Sequence, residues 1–533
     1  MKHPIRFGLP ALILCLAALA PLRATEAPAP VQVDPGKVLG PISPYIYGVN
    51  QTPAEGSNPT LWRLGGNRMT SCNWETNASN AGSDWKQSSD GWLCTDALHL
   101  TDCDVPGAIY RHFIERTLAA KMAALVTIPM VGYLPADENG PVSEDEKAPS
   151  KRWVPNFPRK KGKLQYPPDL KDKAVYQDEL VAWLVKTFGR ADQGGVKFYD
   201  LDNEPAIWPS THPRIHPQKP TYSEIVNDAE AYGAMITGID PSAEILGPVS
   251  YGWQGMLTLQ EAPDYKDWNA KFGSFLDYYL AQMAHLEKSD GRRLLHVLDV
   301  HYYPEAQGNG KRITLNDTAP ESVEARLQAP RSLWDPAYVE TSWITQYSTK
   351  GEAIRLIPWL KDKIAKNYPG TKLSISEYDF GAEDHVSGGL ALADVLGIYG
   401  REGLYMACLW SDWKPYTASA FRLYRDYDGK GGAFGDTSVA AVNPDPEGLS
   451  VYASTDTKAP GTVWVVMINK SQKDKRKGAL TLAGTTAAAW KSYGFDASGP
   501  EVKALGTGKV QAGKLEYKLE PLSATLFVVS EKP

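Results

Sequence analysis

The chain has 533 residues, more than one core of ordinary size accommodates, with 43% hydrophobic and 22% charged residues and a formal charge of −6. That balance describes a globular protein and excludes one built to hold nucleic acid or an anionic surface. Its 16 Trp and 27 Tyr are flat apolar rings with a polar edge, suited to large cores and to sugar rings alike.

Residues 1–24 read as a secretory signal peptide. Lys2 and Arg6 supply the positive start, and Leu9 to Ala20 an apolar run too short to span a bilayer. Cleavage fits either Ala20 or Ala24, and residues 24–30 form a Pro/Ala tether. Export permits disulfides. Of Cys72, Cys94, Cys103 and Cys408, Cys94 and Cys103 flank a short loop and make the best pair. No Cys/His cluster suggests zinc.

Val31–Val33 and Val38–Leu39 suggest a pair of N-terminal strands (residues 25–43). Eight short apolar runs then end in small or polar residues: Tyr45–Asn50, Leu61–Gly65, Ala124–Pro129, Lys197–Glu204, Glu244–Val249, Val297–Tyr303, Lys372–Tyr378 and Leu404–Trp410. Helix-like stretches lie between most of them, so residues 44–420 predict a (β/α)8 barrel. The long segments 131–173 and 303–348 would wall a cleft. From 421 to 533, short strands between Gly, Lys and Asp turns predict an antiparallel β-sandwich, which the N-terminal strands would join.

On this count Glu204 ends the fourth strand and Glu377 the seventh, both at the C-terminal mouth where barrels keep their chemistry. Paired carboxylates across a pocket cleave glycosidic bonds, one donating a proton to the leaving oxygen and the other attacking the anomeric carbon. Asn203 is placed to bind the sugar 2-hydroxyl. Asp200 and Asp202 fall to structural roles.

Asp202–Pro217, Arg63–Arg68, Asn73–Trp85, Asp299–Ala306 and Tyr368–Leu373 together resemble glycoside hydrolase family 44, the endoglucanases and xyloglucanases of clan A. The resemblance implies a barrel carrying a β-sandwich, retention by double displacement, Glu204 as acid/base and Glu377 as nucleophile. It also implies a structural calcium and no cofactor for catalysis. Weaker expectations surround this pair. Trp410 ends the eighth strand as a sugar platform, and His301 and Tyr303 share a face of the sixth. Arg63 and Asn67 end the second, where an arginine can bond the nucleophile. Trp74 and Trp208 are candidate subsite platforms, whereas Trp62 reads as core. For calcium, Asp137, Glu144 and Glu146 offer loop oxygens, and Glu75 is a further candidate ligand. The basic runs at residues 159–163 and 470–477 read as solvated turns.

The expected partner is a β-1,4-glucan or xyloglucan, acted on after export, in the periplasm or outside the cell, by a monomer that binds neither membrane nor nucleic acid. Two rivals are a substrate-assisted chitinase-like hydrolase and a non-catalytic glycan-binding protein. The first asks for an aspartate where Lys197 stands, and the second leaves both glutamates unexplained.

Overall fold

The computed structural model describes residues 31–531; the signal segment and the tether lie outside the described residues. Eight parallel strands close into a barrel: Gly48–Val49, Leu61–Leu64, Ala123–Ile128, Phe198–Leu201, Glu244–Ser250, Val297–Tyr302, Lys372–Tyr378 and Met406–Leu409. They are numbered one to eight below. The first is the shortest. The expected strand Tyr45–Asn50 is a 3-10 turn over Pro44–Tyr47 and only two strand residues, because Pro44 sits at the first helical position and the Ser43 hydroxyl caps the turn. Those two residues still close the ring, Gly48 pairing with Leu61 on one side and Cys408 on the other.

The barrel interior is layered. Leu61, Leu125, Phe198, Leu246, Val297, Met406 and Cys408 pack as an apolar layer near the strand starts. Tyr45 and Tyr405 close the floor beneath it, their rings 5.0 and 6.2 Å from Phe198. Side chains along a strand alternate faces, so the residue two positions further on is the next to point inward. That rule lifts Arg63 above Leu61, Asp200 above Phe198 and Asp299 above Val297, all buried. The interior therefore changes from apolar to charged within one layer, and the charged layer carries the site.

The long segments are folded. Tyr133–Pro135, Trp153–Phe157 and Val175–Tyr176 form a small sheet, and a helix runs over Pro320–Gln328. Among the described residues no helix is long and apolar enough to cross a membrane.

Nine strands form the second layer system: a single sheet rolled over its own core of Val31, Val33, Val451, Val465, Leu480, Leu515 and Phe527. Val31–Pro41 is one bulged strand rather than a pair. It lies inside the sheet, antiparallel to Thr437–Val442 and parallel to Arg476–Leu482. The helix Val386–Arg401 packs against this sheet. Lys470 Nζ lies 2.8 Å from Asp394 of that helix with both side chains buried, and Tyr452 donates a 2.6 Å hydrogen bond to the same carboxylate. Lys470 is therefore not a solvated turn residue. Lys160 of the other basic run likewise pairs with Glu179 and Asp172, at 3.0 Å each.

Candidate active site

Arg63 organises the mouth of the barrel. Its guanidinium is buried and donates four ways: Nε to Asp200 at 2.8 Å, Nη1 to Glu377 at 2.8 Å and to Asn50 at 3.1 Å, and Nη2 to Asn203 at 2.9 Å. Burial alone would push its pKa down, but Asp200, Glu377 and Asp299 overcome this and leave it above its ordinary value. Arginine suits the post because its planar fork addresses several acceptors at fixed angles. The bond from Arg63 to Glu377 is the one expected of an arginine at this strand end; with no exposed donor left for substrate, Arg63 holds Glu377 and Asn203.

Glu377 ends the seventh strand and also accepts a 2.9 Å hydrogen bond from Tyr303 Oη. Glu204 follows the fourth strand in a left-handed backbone conformation (φ 47°), as does Asp202 (φ 64°). Two non-glycine residues in that region store strain, which other bonds must hold. Asp202 supplies those bonds. Its carboxylate accepts from Thr70 Oγ1 at 2.6 Å and from the backbone N–H groups of Asn203, Met130 and Val131 at 2.7, 2.5 and 3.1 Å. Glu204 N–H in turn donates to Val249 O at 3.1 Å.

The two glutamates face each other across His301. One oxygen of Glu204, one of Glu377 and a ring nitrogen of His301 all lie within 4.8 Å of one another. His301 Nδ1 is 2.8 Å from Glu204 and 3.6 Å from Glu377. Burial pushes the Glu204 carboxyl up to about 8, with Arg63 opposing and Asp84 assisting. Burial pushes His301 down to about 4, so the ring is neutral at ordinary pH. These three side chains are the only group among the described residues close enough to share an ion. The Arg63 guanidinium on Glu377 sets a fixed positive charge against that use.

Asn203 reaches the cleft floor, with Oδ1 on Arg63 and Nδ2 on Asn67 Oδ1 at 3.1 Å. Asn67 also donates to Asp84 at 3.1 Å. Trp410 is about one-third exposed and leans on Gly66, where an added Cβ would meet the indole at 2.6 Å. Gly66 has φ +85°, so close approach and backbone both require glycine. A cavity of about 810 Å³ opens beside Trp410, walled by Trp85, Trp92 and Trp413. Trp85 and Trp92 are exposed.

Two expected platforms are corrected. Trp74 is fully buried, stacked 6.3 Å from Trp183, and Trp208 is buried 5.0 Å from His216. Neither has a free face for a sugar. Trp62 is core, 5.0 Å from Phe113. Asp137, Glu144 and Glu146 do not form a cation loop. Arg152 pairs with Asp137 at 2.8 Å and Glu146 at 3.3 Å, and Arg214 takes Glu144 at 2.5 Å. Glu75 is different: it is buried near Asp172 and Glu179, and burial with those two charges pushes its carboxyl up to about 8 against the pull of Lys160. Cys94 and Cys103 form a disulfide, while Cys72 and Cys408 are free and buried.

Trp85, Trp92, Trp413, Ser376 and Asp299 were missed as site residues. Trp85 and Asp299 belong to segments already singled out by resemblance; the others carry no local signal.

A parallel barrel whose mouth sets two facing carboxylates beside an indole platform defines a glycoside hydrolase. Residues 78–306 match the model of glycoside hydrolase family 44. Endoglucanase A of Paenibacillus lautus is 43% identical over 496 residues, covering 92% of this chain and 70% of that protein. A β-mannanase/endoglucanase A of Caldicellulosiruptor saccharolyticus is 44% identical over 483 residues, or 87% of this chain, but the match spans only 36% of that longer protein. A family 44 xyloglucanase of Paenibacillus polymyxa, solved with xyloglucan, superposes with a TM-score of 0.91 at 43% identity, covering 94% of this chain and 99% of that one. The chain belongs to glycoside hydrolase family 44.

Proposed function

We propose that the chain hydrolyses internal β-1,4-glucosidic bonds of cellulose-type glucans or xyloglucan, with retention, by double displacement. The observation that carries this is the opposition of Glu204, its carboxyl raised to about 8, to Glu377, fixed by Arg63 and Tyr303 with oxygens within 4.8 Å of one another. Retaining glycosidases space the pair at roughly 5–5.5 Å, whereas inversion needs room for a water between them.

The substrate stacks a glucosyl ring on Trp410, which brings its anomeric carbon over Glu377. The Glu377 carboxylate attacks that carbon from one side while Glu204 gives its proton to the departing glycosidic oxygen on the other. A covalent glycosyl ester remains on Glu377. Glu204, now a carboxylate, takes a proton from water as that water attacks the same carbon, and the second inversion restores the starting configuration. Asn203 holds the 2-hydroxyl, a contact that tightens as charge builds on the ring. Arg63 moves no proton; it keeps Glu377 and Asn203 in register.

The names of the relatives support the substrate class. Residues 1–24 are read as an export signal, and the Cys94–Cys103 disulfide agrees with an oxidising compartment. For the calcium that the resemblance implies, Glu75, Asp172 and Glu179 set three carboxylates near one lysine, but their oxygens do not converge within 4.8 Å of one another, so the residues present do not fit the ion.

Glu377→Gln tests the function: hydrolysis of soluble β-glucan should fall by several orders of magnitude with the fold intact. Unchanged hydrolysis refutes it. An NMR time course should show the β-anomer first, and α-anomer first refutes retention.

A further inference from the structure

A chain of buried hydrogen bonds runs from Glu204 down the barrel axis. His301 Nδ1 lies 2.8 Å from Glu204, and His301 Nε2 lies 3.1 Å from Ser376 Oγ. Ser376 Oγ donates to Asp299 Oδ2, and Ser376 N–H donates to Asp299 Oδ1 at 3.2 Å. His301, Ser376 and Asp299 are wholly buried. The backbone sets this alignment. His301 pairs with Glu377 across the sheet, after an irregularity at Val300/His301 that shifts the register from Ile375 by one residue.

Hydrogen counting fixes the direction of every bond in the chain. As a carboxylate, Asp299 only accepts, so it commits the single hydroxyl proton of Ser376. Ser376 then has only lone pairs to offer, and Nε2 of His301 must carry the ring proton. A neutral imidazole has one ring proton, which leaves Nδ1 as an acceptor. An acceptor 2.8 Å from Glu204 is satisfied only when Glu204 carries a proton and donates it. We infer that Asp299 and Ser376 are positioning residues that lock the tautomer of His301, so that the site favours the proton-bearing form of Glu204. This rests on Glu204 being the acid/base.

The consequence reaches both halves of the reaction. To protonate the leaving oxygen, Glu204 must turn its single proton away from Nδ1, and once that proton is given its carboxylate is left facing the Nδ1 lone pair with no hydrogen bond between them. That penalty ends only when Glu204 takes a proton back, which drives the abstraction from water in the second half. The other groups facing Glu204 and His301 do not replace this control. Arg63 opposes the raised state, Asp84 assists it from the segment after the second strand, and Glu377 with Asp299 favours a charged His301 that burial prevents. Tyr303 adjoins the pair with its proton held well up by burial and by both glutamates, and Tyr251 with its own raised by burial and by Glu204.

The test is the basic limb of the pH–kcat profile on soluble β-glucan. In Asp299→Asn the carboxamide can donate to Ser376, whose proton then turns to Nε2. The ring proton moves to Nδ1 and stabilises the Glu204 carboxylate. The limb should fall by about one pH unit or more. In Ser376→Ala the tautomer is merely unlocked and the fall should be smaller, with KM unchanged within about twofold. Ser376→Thr, which keeps the hydroxyl, should return the limb to its wild-type position. A limb unmoved in both Asp299→Asn and Ser376→Ala overturns the inference, as does an upward shift in either. If Asp299→Asn does not fold, Ser376→Ala decides alone: a fall supports the lock and an unmoved limb overturns it. Glu204→Gln run in parallel separates the premise, since retained activity there would remove Glu204 as acid/base whatever the other variants show.

Discussion

Breaking the contact between barrel and sheet should cost more than any surface change. Lys470 and Asp394 are each about 2% exposed and 2.8 Å apart, and Tyr452 adds a 2.6 Å hydrogen bond to Asp394. Lys470→Met leaves the carboxylate buried with one neutral donor. Removing one partner of a buried pair costs roughly 3–5 kcal/mol, most of it the unpaired charge. Tyr452→Phe removes only a hydrogen bond to a charged group and should cost about 1.5–3 kcal/mol. If the penalty is the stranded charge, Asp394→Leu combined with Lys470→Met should recover most of the loss, because no charge is left inside. Urea unfolding followed by tryptophan fluorescence reads all three, with the single Lys470→Met showing the lowest midpoint. A Lys470→Met midpoint within error of wild type would refute the reasoning, and so would a double variant less stable than the single.

Other outcomes follow from the site. Glu204 is protonated in the fold at pH values where the unfolded chain ionises it, so its burial costs stability above pH 4.5, increasingly up to about 8. Glu204→Gln should therefore be more stable than wild type at pH 7, by on the order of 3 kcal/mol, and equal to it at pH 4; a difference that does not vary with pH would contradict the raised carboxyl. The same shift places the loss of wild-type activity on the alkaline side near pH 8, measurable on any soluble substrate. Gly66→Ala sets a methyl against the Trp410 indole at a positive φ and should lower kcat/KM about tenfold or more, approaching Trp410→Ala.

Much of the architecture was legible because it rests on local signals. Strands four and six are mostly apolar or aromatic, strand seven alternates Leu373 and Ile375 with serines, and both glutamates sit where strands four and seven end. The first barrel strand was harder, since two residues suffice when their neighbours are already in place. The tryptophans divide by their surroundings and not by type: Trp74 stacks on Trp183 inside the wall, whereas Trp85 and Trp92 stand in the open. The lysines follow the same logic. Lys470 and Lys160 lie in basic runs that look solvated; Lys470 is drawn inward by Asp394 from a distant helix, and Lys160 by Glu179 at the start of the next one. Arg63 was legible as a partner of the nucleophile because it ends a strand at the mouth; only the positions of Asp200, Asn203 and Asn50 show that its other donors are spent as well. Ser376 and Asp299 acquire meaning only once His301 stands between them and Glu204.

The central claim is the division of labour between the two glutamates. A 2-deoxy-2-fluoro-β-cellobioside with a good leaving group should inactivate the protein, because the fluorine slows the second displacement more than the first. Mass spectrometry of the digested, inactivated protein should find one sugar, attached to the peptide carrying Glu377. A sugar on Glu204, or slow turnover with no covalent adduct, would contradict the account.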